Sequence, residues 1–152
     1  MRLQLAFLAF GLTVFAGSIS AAAPSIEASA AKPTDAIRIR VHGHLVTVEV
    51  RSPSGVGSGK LSRATAAWPG AVSVRLKAFR EIEHFRATAG ATTLICALER
   101  REGVVSERVC RLNGDVVDPP KIAGKDFQIA LPAALFTSNP DEIVLEWVDY
   151  WR

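Results

Sequence analysis

The stretch TTLICALERREGVVSERVCRLNGDVV, residues 92–117, carries the reading of the fold. Thr92 to Glu99 and Val105 to Leu112 both have strand character, and a polar turn around Arg101, Glu102 and Gly103 separates them. Gly103 can take the positive φ that such a turn needs. Asn113-Gly114 follows at once, and this dipeptide is the strongest hairpin signal in the chain, because both central residues of a type I′ turn need positive φ. A connection of about five residues sets Cys96 opposite Cys110, close enough for a disulfide. Closing a loop of this length stabilises by roughly 3 kcal/mol on the chain-entropy account; the alternative is two buried free thiols.

Working outward, the same two-residue rhythm recurs. Ile37, Ile39 and Val41 alternate with Arg38, Arg40 and His42, and the apolar parity then flips to Val46, Val48 and Val50. A bulge or tight turn at Gly43 accounts for the flip. Ser52 to Gly59 reads as a Gly/Ser/Pro turn region, and Lys60 to Thr65 as a weak strand. Val72, Val74, Leu76 and Ala78 alternate with Ser73, Arg75 and Lys77; Ile82 to Thr88 fits a strand, although Ala78 to Arg86 also has helical spacing. Pro119-Pro120 ends the strand before it, Phe127, Ile129 and Leu131 alternate, Pro132 to Phe136 allows one helical turn, and Ile143 to Tyr150 is the last strand. The expectation is an all-β fold: a single antiparallel β-sandwich, Ig-like or jelly-roll-like, of about eight short strands.

The N-terminal stretch has a different character. Met1-Arg2, an uncharged run from Leu3 to Phe15, and Ser20-Ala21-Ala22-Ala23 together have the form of a signal peptide cut after Ala22. The run is too short for a membrane span, which takes about 20 apolar residues. The expected organisation is a leader at 1–22, an Ala/Ser/Pro spacer at 23–36 and a domain at 37–152. The mature chain is then expected outside the cytosol, periplasmic or extracellular, with no membrane span. Without the leader, which holds only Arg2 among the charged residues, the formal charge falls from +3 to +2, too mild for a nucleic-acid partner.

Two segments carry a resemblance. Trp68-Pro69-Gly70-Ala71-Val72-Ser73-Val74-Arg75-Leu76, with Ile82-Glu83-His84-Phe85, resembles a stretch of small exported bacterial proteins of unknown function. The tail from Leu131-Pro132-Ala133-Ala134-Leu135-Phe136 through Asn139-Pro140 to Trp147-Val148-Asp149-Tyr150-Trp151-Arg152 is similar to the way those proteins end, with the aromatic pair in a slightly different order. The resemblance implies an exported bacterial domain and brings no activity with it.

Catalytic patterns fail on detail. Gly55-Val56-Gly57-Ser58-Gly59-Lys60 imitates a phosphate loop, but Ser54 stands where the first Gly belongs and Leu61 where a Ser or Thr would meet magnesium. No G-x-S-x-G elbow presents a serine, and Glu81, Glu83, Asp141 and Glu142 are placed by no recognisable motif. His42, His44 and His84 are more plausible as surface residues than as metal ligands. No enzyme activity, cofactor or metal is expected.

Binding is the remaining class. Arg38 and Arg40, with Arg51 and Arg75 near them, make a candidate cationic stripe for an acidic glycan or phosphate. Trp147 is expected in the core, whereas Asp149, Tyr150 and Trp151 form a candidate sugar-stacking platform. The expected function is an envelope accessory domain that binds a protein through a sheet face or edge; the alternative is a carbohydrate-binding module that uses the C-terminal aromatics.

Overall fold

Alternating apolar and polar side chains place one face of each strand in a shared core, and the chain builds two sheets from such strands. The structure is a computed structural model that describes residues 23–32, 36–52, 56–118, 121–123 and 126–149. In chain order the strands are β1 (Ile26–Ala30), β2 (Ile37–His42), β3 (Leu45–Val50), β4 (Val56–Arg63), β5 (Ser73–Lys77) and β6 (Ile82–Ala89). They continue with β7 (Thr92–Arg101), β8 (Val104–Leu112), β9 (Asp115–Val117), β10 (Lys121–Ala123), β11 (Asp126–Ala130) and β12 (Glu142–Asp149). A single 3₁₀ turn, Ala133–Leu135, precedes β12.

The first sheet has seven strands in the order β1-β4-β12-β6-β7-β8-β9, and the second has five in the order β10-β11-β5-β3-β2. Their inner faces meet in one core that includes Val46, Val48, Leu76 and Phe127 from the smaller sheet and Leu61, Phe85, Leu145 and Trp147 from the larger. The all-β sandwich expected from the periodicity is therefore present. Its strands number twelve among the described residues, more than the sequence suggested. The pairing is also not wholly antiparallel: β3 and β5 run parallel, with β4 between them in sequence but in the opposite sheet. A parallel neighbour needs a long crossover, and here the crossover is itself a strand of the other layer.

Two segments differ from expectation for physical reasons. Val56–Arg63, whose first half reads as a flexible turn, is β4, an interior strand of the larger sheet. Gly57, Gly59 and Leu61 face inward there, and the missing side chain at Gly57 leaves room for the Trp147 indole. From the facing sheet, Ile39 Cδ1 lies 3.1 Å from where a Cβ on Gly59 would be. Ile26–Ala30, inside the stretch read as a spacer, is the edge strand β1 paired with β4. An edge strand can be held by few large groups; Ile26 is buried, and Ala28 packs against the core. The leader at 1–22 lies outside the described residues.

The turns follow the residues that permit them. Gly43, at φ 63°, sits in the two-residue turn between β2 and β3 and produces the parity flip. Asn113 and Gly114, at φ 49° and 93°, join β8 to β9. The two segments that carry the resemblance meet in space. Trp68 Nε1 donates to the Pro140 carbonyl at 2.6 Å, and the Trp68 ring stands 5.3 Å from Phe136. Arg63 Nη2 bonds Asp141 at 2.6 Å alongside them. Trp68-Pro69-Gly70 and the approach to β12 thus clamp one end of the sandwich. Among the described residues, no helix is long and apolar enough to cross a membrane.

Candidate functional site

The hairpin of β7 and β8 that carries the cysteines also leaves an unfinished edge. Asn113 N–H donates to the Thr93 carbonyl at 2.9 Å, which makes Thr93 and Asn113 a hydrogen-bonded pair. Hydrogen-bonded and non-hydrogen-bonded pairs alternate along an antiparallel ladder. Cys96 and Cys110, three positions further on, therefore form a non-hydrogen-bonded pair, the kind in which opposed residues come closest. Their Cα atoms are 4.0 Å apart and the disulfide is formed, fully buried.

The same alternation turns the backbone groups of Cys110 and Arg108 away from β7 and toward β9. β9 reaches Cys110 with Val117 and ends there. Continuing that register, residue 119 would fall opposite Arg108, and it is a proline, which has no N–H to donate. The chain next pairs as β10 in the other sheet. From Val104 to Val109, β8 consequently has no neighbour on this side among the described residues. A register shift between Glu99 and Arg100 bends the far end of the hairpin and confines the regular edge to Glu107, Arg108 and Val109. Edge strands are ready templates for another chain, and a bulge limits how much of one is offered.

Arg108 makes this edge unusual. It shares the inward parity of Cys110 and lies opposite Leu98, so its side chain enters the sandwich. That side chain is 5% exposed, although the residue as a whole is only half-buried because its backbone is on the open edge. The guanidinium lies 5.2 Å from the centre of the Phe127 ring, and Nη2 is 3.9 Å from Glu81 Oε1. Nε and Nη1 are buried with no hydrogen-bond partner among the described residues. Burial lowers the Arg108 pKa below the ordinary arginine value, and the Glu81 charge acts in the opposite sense. Arginine nonetheless stays protonated at any ordinary pH. A buried donor left unpaired costs on the order of 1–3 kcal/mol, so a guanidinium placed this way calls for a reason.

Two hollows adjoin the end of β9. A notch of about 280 Å³ opens beyond the end of β9, against Glu107, Arg108, Val109 and Val117. A cleft of about 480 Å³ lies between Val117-Asp118 and the β11 end at Ile129, Ala130 and Pro132.

The residues singled out from sequence are distributed elsewhere. Tyr150 and Trp151 lie outside the described residues; Asp149 ends β12 opposite Ile82. Trp147 is fully buried. Arg38 and Arg40 do share the outer face of β2, but Glu49 stands among them: it lies opposite Arg38, 3.6 Å from Arg40 and 3.3 Å from Arg51. Arg75 is held by Asp126 at 2.7 Å. The stripe is thus a mixed lattice of both signs. His42 and His44 lie at the β2–β3 turn and His84 is in the other sheet; among the described residues, no group of three or more potential metal ligands forms. Arg108 escaped sequence reasoning, although its even spacing from Cys110 was the signal that places both on one face.

Comparisons with protein-family models, with curated proteins and with solved structures found no match to this chain.

Proposed function

We propose that this is an exported, non-catalytic accessory domain that binds a protein partner by taking an extended segment of it onto the open edge of β8. The observation that carries this reading is the early end of β9, which leaves the Arg108 backbone N–H and C=O facing no partner strand among the described residues, beside a notch. Strand addition gains affinity from main-chain hydrogen bonds and specificity from pockets under alternate side chains, and this edge offers both. The leader-like residues 1–22 and the disulfide support a place of work outside the reducing cytosol.

The test is selection of random linear peptides on the oxidised protein, followed by amide hydrogen exchange on the selected complex. Slowed exchange at Arg108, with the outer sheet faces unchanged, is the expected result. Protection confined to the outer face of either sheet would overturn the reading.

A further inference from the structure

We infer that Arg108 is a receptor for a carboxylate, and that the segment added to β8 carries an acidic side chain opposite it. This rests on the strand-addition reading and specifies its partner. A residue placed opposite Arg108 on a new strand has its Cβ about 5 Å from that of Arg108 and points to the same, inner face. There it meets a guanidinium whose Nε and Nη1 have no partner among the described residues and whose nearest carboxylate, Glu81, is 3.9 Å away and 55% exposed. Phe127 forms an apolar floor beneath it, packed on Phe85 with ring centres 5.3 Å apart. An acidic group arriving with the strand would supply the missing acceptor in a place shielded from water, where a charge-assisted hydrogen bond is strongest.

The neighbouring position has the opposite preference. Glu107 is exposed on the outer face and lies opposite Glu99, whose carboxylate already bonds Arg111 at 2.7 Å. A strand residue beside Glu107 is favoured if it is basic, because like charges opposed across a ladder destabilise. Every pair in the larger sheet is antiparallel, so the added strand is taken as antiparallel too. The residue facing Arg108 then comes immediately before the one facing Glu107. The preferred partner contains an acidic residue followed by a basic one, within a run of β-formers.

The probes are two end-blocked synthetic peptides, Thr-Val-Thr-Asp-Lys-Val-Thr and its Asp→Asn analogue, titrated onto the full oxidised protein. Amide exchange at Arg108 is followed in parallel. The Asp peptide is expected to bind at least about tenfold more tightly than the Asn analogue, the usual scale of a hydrogen bond to a charged group. Arg108→Met, checked for an intact melting transition, is expected to abolish that difference. Equal binding of both peptides, with the Arg108 amide protected, would overturn the carboxylate assignment and leave strand addition standing. Failure of both peptides to bind would overturn the two together.

Discussion

Trp147 lies across the backbone of Gly57, its paired neighbour in the larger sheet, so that a Cβ on Gly57 would fall 2.6 Å from the indole Cζ2. The indole belongs to the most deeply buried side chains of the core and fills the space that a second side chain would need. Gly57→Ala is therefore expected to destabilise by roughly 1–3 kcal/mol through overpacking, seen as a lower melting temperature. Trp147→Phe trims the atoms in conflict, and removes an Nε1 with no hydrogen-bond partner among the described residues. The double variant should lose less than the sum of the two single losses, because the sites share one cavity.

The Cys96–Cys110 bond spans 14 residues and sits wholly inside the core. Replacing both cysteines with alanine should cost about 3 kcal/mol, mainly through a freer unfolded chain. Urea titrations of this variant and of the oxidised protein measure the difference. An unchanged midpoint would show that the cross-link contributes nothing.

Arg108 bears a burial penalty that lowers its pKa and that the neighbouring Glu81 carboxylate offsets only in part. The sign follows from which form the fold disfavours. A base whose folded pKa is depressed is opposed in its charged form at every pH below that value, which here covers the whole working range. Arg108→Met should then be neutral or stabilising, by up to a few kcal/mol, with no pH dependence between neutral and mildly acid conditions. Glu81 is half in solvent, so Glu81→Gln should cost no more than about 1 kcal/mol. Calorimetry of both variants separates a residue retained for binding from one retained for stability.

On the smaller sheet, Glu49 offsets part of the positive charge of Arg38, Arg40 and Arg51 on the outer face. Glu49→Gln should leave the melting temperature nearly unchanged, since exposed pairs contribute about 0–1 kcal/mol. It should also strengthen retention on an anionic resin, with the gain abolished by salt.

What could be read in advance was what depends on neighbours in sequence. The β7–β8 and β8–β9 hairpins, the parity flip at Gly43 and the opposition of Cys96 and Cys110 all follow from local turn chemistry. What escaped depends on partners far along the chain. Gly57 and Gly59 look like a loop until Trp147, ninety residues later, is placed over the first of them. Ile26–Ala30 has too few large apolar groups to announce a strand, and only the edge of β4 gives it a partner. The parallel pairing of β3 with β5 leaves no mark on either strand. Arg38 and Arg40 suggest a cationic stripe because Glu49 joins them only across the hairpin.

The most direct test of the binding edge is a photoreactive residue at position 107, on the outer face of β8 next to Arg108, compared in growing cells with the same residue at Val144, exposed on the outer face of the interior strand β12 of the same sheet. Irradiation should give a discrete adduct with another exported protein from position 107 and none from position 144, and the adduct should disappear when an acidic-basic strand peptide is added in excess. Adducts of equal yield from both positions, or from position 144 alone, would contradict a function seated on the β8 edge at Arg108.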